Sequence, residues 1–184
     1  MTALDILEES IAREFPKFKV VKKSDSWLMK AIGAVLFVCT LGKQRTFMTD
    51  YYTTIGYTVY VPANWETTPE VSRIIMLRHE RVHMRQRAKY GMFLFTLLYV
   101  FLPLPGGLAY FRYKFEAEAY EETTRAVVEL QPDGLQEVRS PEYRAIITGE
   151  FLTAGYFWMW PFKKTINVWY DGVLSRLPSR GGRA

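Results

Sequence analysis

His79-Glu80-Arg81-Val82-His83 contains the only two histidines of a 184-residue chain. On a helix, residues four apart stand on one side, one turn from each other, so both imidazoles can approach a single metal ion. Glu80 lies about 100° further round the same helix, within reach of a water on that ion without itself being a ligand. Two neutral imidazoles and a carboxylate base are what a zinc-dependent hydrolase needs, and hydrolysis of peptide bonds is the expectation.

The flanks of this pentapeptide favour a helix. Thr68 suits an N-cap, Pro69 the first turn, and Glu70 the positive end of the helix dipole. From Val71 to Ala88 there is neither Gly nor Pro. Ile75, His79, Val82, His83 and Gln86 share one stripe, which is expected to face inward. Arg78, Arg81 and Arg85 share another, expected to face solvent. The competing reading is an ordinary amphipathic helix with two core histidines satisfied by hydrogen bonds.

A catalytic zinc takes three protein ligands and keeps one position open for water. With no third histidine and only Cys39 as a thiol, the third ligand is expected to be a carboxylate. Phe115-Glu116-Ala117-Glu118-Ala119-Tyr120-Glu121-Glu122 supplies the candidates, on a predicted helix from about Leu108 to Glu129. A solvated acidic helix face is the alternative for this stretch.

Here the chain resembles the gluzincins, metallopeptidases in which HExxH is completed by a downstream Glu, the first residue of E-x-x-[AS]-D. Glu116-Ala117-Glu118-Ala119-Tyr120 matches at its first and fourth places. The resemblance implies that Glu116 is the third ligand and that Ala119 is the small residue allowing two helices to approach; within the acidic stretch itself Glu118 and Glu122 are the fallback ligands. It also implies a mainly helical α+β fold of zincin, minigluzincin-like type. Such a fold has a small sheet before the active-site helix, and here an apolar helical hairpin follows that helix. At the fifth place Tyr120 replaces the Asp that commonly receives a hydrogen bond from a zinc-bound histidine.

In this reading zinc is the cofactor, Glu80 is the general base, and a protein or peptide is the substrate. The developing oxyanion needs a further donor. Thermolysin-like enzymes use Tyr or His; since no histidine remains, Tyr120, Tyr156 and nearby arginines are the candidates.

Upstream, Tyr51-Tyr52-Thr53-Thr54-Ile55-Gly56-Tyr57-Thr58-Val59-Tyr60-Val61-Pro62 is dense in β-branched and aromatic residues. It predicts two short strands, or one kinked near Gly56, ended by Pro62. Because zincins place an edge strand above the active-site helix, Tyr57 to Val61 is the expected edge for an added substrate strand. A strand that only covers the core is the alternative.

Elsewhere the pattern predicts helices over about Ala3–Phe15, Asp25–Cys39, Ser140–Trp158 and Lys163–Leu177, with a basic extended piece from Phe18 to Lys23. Gln131-Pro132-Asp133-Gly134 reads as a turn, and residues 178–184 as a frayed basic tail. The aromatic cluster Tyr156 to Trp160 is read as packing or the lip of a specificity pocket. One domain spanning residues 1–184 is expected, large enough to bury a sizeable core. Cys39 is expected to be a buried thiol, so there is no disulfide framework.

Net charge is +5 and 49% of residues are hydrophobic. Charge alone selects no partner, and neither an RNA-binding signature, a Walker loop nor a dinucleotide fingerprint is present, so no specific nucleic-acid recognition is expected. Tyr90 to Phe111 is apolar and long enough on paper to span a bilayer. Pro103, Pro105, Gly106 and Gly107 interrupt it, predicting instead a helix over Met92–Leu102, a turn and a return. That hairpin is expected to be buried or to meet a membrane surface or protein partner, together with the apolar runs Ala31–Leu41 and Phe151–Phe162. The acidic amphipathic N-terminus does not read as a signal peptide. A cytoplasmic protein is expected, with membrane-surface or virion association as the variants.

Arg45 to Met48, Thr53 to Pro62, the zinc motif, the apolar hairpin and Glu116 to Tyr120 together resemble small metallopeptidases encoded by bacteriophages, over roughly residues 24 to 125. The resemblance implies a viral setting. It leaves two function classes: an active zinc peptidase, or a non-catalytic phage structural or interaction protein that retains a zincin fold and its metal site.

Overall fold

A computed structural model describes residues 1–39, 42, 46–101, 109–152 and 162–177. Tyr156 and the cluster 156–160, the Pro-Gly turn at 103–107, the tail 178–184 and the Cys39 side chain lie outside the described residues. The fold is α+β and mainly helical, with one three-stranded sheet. Its contacts form two compact units, Met1–Met84 and Arg85–Ala184, and the division falls inside one unbroken helix.

The first unit opens with α1 (Ala3–Glu14), started by a capping box in which Thr2 and Asp5 each accept the other's backbone N–H. Leu4 and Ile11 bury its apolar side. Strand β1 (Lys19–Lys22) and a single 3₁₀ turn lead to α2 (Trp27–Cys39). Strands β2 (Thr53–Ile55) and β3 (Thr58–Val61) are joined at Gly56, whose φ of 72° is open to glycine at no steric cost. Beyond β3 the chain enters α3 (Glu70–Tyr90), and the Glu70 carboxylate accepts the backbone N–H of Leu4 at 3.0 Å. That bond satisfies one of the donors left over at the start of α1.

The strand order is β1-β3-β2, with β3 parallel to β1 and antiparallel to β2. This corrects the expectation that Tyr57 to Val61 forms an edge. It is the central strand, hydrogen-bonded on both sides, and cannot receive an added substrate strand; the edges are β1 and β2. The physical reason is burial: Val59 and Val61 are fully buried, and the most apolar strand takes the middle.

A second correction concerns the arginine stripe of α3. Arg85 is exposed, but Arg81 is half-buried. Its guanidinium pairs with Glu14 at 2.5 Å and donates to Ser10 Oγ at 3.2 Å, binding α3 to α1.

In the second unit α3 ends at Gly91 (φ 76°), and the short helix α4 (Met92–Thr96) runs into a π-helical turn over Leu97–Phe101. Helix α5 (Tyr110–Leu130) is followed by α6 (Gly134–Arg139), α7 (Pro141–Leu152) and α8 (Lys163–Arg176). Helix α6 begins where the sequence predicts only a turn. A Cβ on Gly134 would stand 2.1 Å from the Val127 carbonyl oxygen, so the residue is fixed by close backbone approach. Tyr113, Ala117, Ile147, Phe151, Ile166 and Tyr170 form the core of α5, α7 and α8. The Tyr170 hydroxyl donates to the Val138 carbonyl at 2.6 Å, which settles its polar end inside that core.

Candidate metal centre

Two helices carry the candidate ligands. On α3, His79 is half-buried and His83 is 9% exposed. Their Nε2 atoms face each other at 3.2 Å. Two nitrogens bound at about 2.0–2.1 Å to a tetrahedral ion stand about 3.3 Å apart, so the imidazoles already hold that spacing. On α5, Glu116 is 2% exposed. A carboxylate so deep needs partners for its charge.

The turn of α3 that follows His83 is anchored to α5. Gln86 Nε2 donates to the Phe115 carbonyl at 3.0 Å and to Glu118 Oε2 at 2.9 Å. Ligand atoms of His79, His83 and Glu116 all lie within 4.8 Å of one another, a group that could hold a metal ion. The remaining carboxylates of the acidic stretch are engaged elsewhere. Glu118 is exposed and accepts from Gln86, Glu122 pairs with Arg125 at 3.1 Å, and Glu121 pairs with Arg176 at 2.8 Å.

Glu80 is nearly buried, at 8% exposure, and its Oε2 accepts the Thr54 hydroxyl at 2.7 Å. Thr54 belongs to β2, an edge of the sheet. Near it lies a cation that sequence reasoning did not single out. Lys23 is fully buried, donates to the Phe47 carbonyl at 2.6 Å and sits 3.7 Å from the Phe47 ring centre. Burial pulls its ammonium down to about 8, and the negative charge of Glu80 acts in the opposite direction.

The tyrosines separate. Tyr120, one turn after Glu116, turns its ring edge-on to Phe151 at 5.5 Å, against the α5–α7 core. Tyr156 is outside the described residues. Tyr99, on the π-helical turn, touches one of the candidate ligands: its hydroxyl donates to Glu116 Oε1. Its ring stacks on Phe95 and lies 5.1 Å from the Arg112 guanidinium. Thr54, Lys23 and Tyr99 were missed because each reaches the site through tertiary packing. The available hint for Tyr99 was its phenol inside the apolar run Met92–Leu102, whose one other hydroxyl is that of Thr96.

Comparisons of the chain with protein-family models, with curated proteins and with solved structures found no match.

Proposed function

We propose that this chain is a zinc-dependent peptidase with a zincin-like fold, His79, His83 and Glu116 being the ligands and Glu80 the base. One observation carries the reading: three ligand side chains of the types catalytic zinc uses converge within 4.8 Å, beside a nearly buried glutamate that is one residue from the first histidine. Magnesium and calcium prefer oxygen donors throughout, so two imidazoles argue against either. Bound there, zinc would polarise a scissile carbonyl and make the attacking water acidic.

The protein's own groups then divide the work. Glu80 takes a proton from the attacking water and passes it to the leaving nitrogen. Thr54 holds one oxygen of Glu80, so the carboxylate needs no reorganisation before it acts. Tyr99 holds Glu116 as a positioning residue rather than a catalytic one. Its hydrogen bond goes to the carboxylate ligand, whereas the Asp of the E-x-x-[AS]-D pattern accepts from a histidine, so the two hold different ligands.

The test is metal content by elemental analysis together with cleavage of an unstructured protein substrate by the parent and by Glu80→Gln. Expected are about one zinc per chain in both proteins and cleavage only by the parent. Absence of zinc from folded, zinc-supplied parent would return His79 and His83 to the role of core side chains. Zinc in both with cleavage in neither would favour the non-catalytic structural or interaction protein.

A further inference from the structure

The segment from Arg85 to Phe115 contains five Lys or Arg residues and no Asp or Glu. All of it belongs to the second unit, and several large apolar side chains among its described residues are exposed. Phe93 is 82% exposed and Met92 65%, both on α4, and Leu94 beside them is 43% exposed. At the start of α5, Tyr110 and Phe111 are 45% and 43% exposed. Single exposed apolar residues are ordinary, but a run of them inside a chain segment of one charge sign is not.

The charges are arranged around the rings. Exposed Lys89 lies 5.4 Å from the Tyr90 ring centre, and exposed Lys114 lies 5.8 Å from that of Tyr110. Tyrosine with an adjacent lysine suits the boundary between headgroups and acyl chains, where one end of each side chain is apolar and the other wet. Helix α4 has only five residues, and among the described residues no helix is long and apolar enough to cross a membrane.

We infer that this surface docks on anionic lipid, with Met92 and Phe93 entering the interface and Lys89 and Lys114 meeting the headgroups. Charge complementarity selects that occupant. In a symmetric pair of chains the same cations would face each other; a duplex would leave Phe93 and Met92 in water, and a single strand, which stacks bases on aromatic faces, would leave the aliphatic Met92 and Leu94 in water. A lipid surface takes both halves of the pattern.

Co-sedimentation with vesicles tests it, using phosphatidylcholine alone and phosphatidylcholine mixed equally with phosphatidylglycerol. The parent should pellet with the mixed vesicles, less with the neutral ones, and less in high salt. Met92→Ser/Phe93→Ser should abolish pelleting. Lys89→Glu/Lys114→Glu should weaken binding to the mixed vesicles by about tenfold or more while changing neutral binding little. All four positions are exposed, so circular dichroism melts and zinc content should match the parent. The inference fails if the parent ignores anionic vesicles, if it binds both vesicle types equally, or if the serine variant still pellets. It fails too if the parent is a stable dimer that the serine variant turns into a monomer. None of these outcomes depends on whether the metal site is catalytic.

Discussion

Glu80 and Glu116 are both nearly buried carboxylates, and each accepts a hydroxyl from a neighbouring element. Their surroundings differ. Glu80 is held by Thr54 on a regular strand, with buried Lys23 adding a positive charge. Glu116 is held by Tyr99 on a π-helical turn, with Arg112 against the tyrosine ring. The same local device therefore serves two purposes in the proposed site: in one region it steadies a base, and in the other it steadies a ligand. Irregular helical turns are frequent where a side chain must be aimed rather than merely packed.

The comparison breaks most sharply under direct substitution of the two carboxylates. Glu116→Ala should lower zinc affinity by at least about 100-fold, and its thermal melt should no longer rise when zinc is added. Glu80→Gln should keep zinc at the parent's stoichiometry while cleavage falls about 10²–10⁴-fold. If both variants lost zinc equally, Glu80 would be a ligand and the division of roles would be wrong.

The holding hydroxyls give the next, smaller test. Tyr99→Phe removes the donor to Glu116 and keeps the ring that stacks on Phe95. Zinc affinity should fall about 10–100-fold, the usual cost of losing a partner of a ligand. Thr54→Val should leave zinc affinity unchanged and lower kcat by about tenfold, since it loosens only the base. Competition titration with a chelator reads the first effect and initial rates read the second. Equal zinc affinities in parent and Tyr99→Phe would reduce Tyr99 to a packing residue.

Much of this comparison was legible in the chain and some was not, for physical reasons. The helix carrying His79 and His83 is legible because its stripe of apolar and imidazole residues and its Pro69 start are local properties. The helix carrying Glu116 is legible for the same reason, as are the break at Gly56 and the start of α7 at Ser140. Strand order is not, because whether Thr58 to Val61 lies at the centre depends on pairing with Lys19 to Lys22, almost forty positions away. Arg81 carries a charge that reads as solvent-facing until Glu14 is brought to it. Gly134 reads as turn punctuation, whereas its structural reason is the Val127 carbonyl beneath it. Tyr99, Thr54 and Lys23 have no periodic pattern to reveal them; each is defined by what the fold places opposite.

Lys23 gives the finest test of the difference between the two carboxylates. Its ammonium is held at about 8 when folded, against an ordinary 10.5, with burial the larger cause and Glu80 opposing it. Between those two values the unfolded chain binds the proton and the folded one does not, so stability should rise with pH across that window. The rise has an upper limit of about 3 kcal/mol. Lys23→Met should remove it, and the difference between parent and variant melts should cancel the titration of the tyrosines. If Glu80 is the charge that holds this lysine up, Glu80→Gln should start the rise at lower pH, whereas Glu116→Gln should leave the window where it is. A window shifted by neither substitution would mean that burial alone sets Lys23, and that Glu80 is steadied by Thr54 without help from the buried cation.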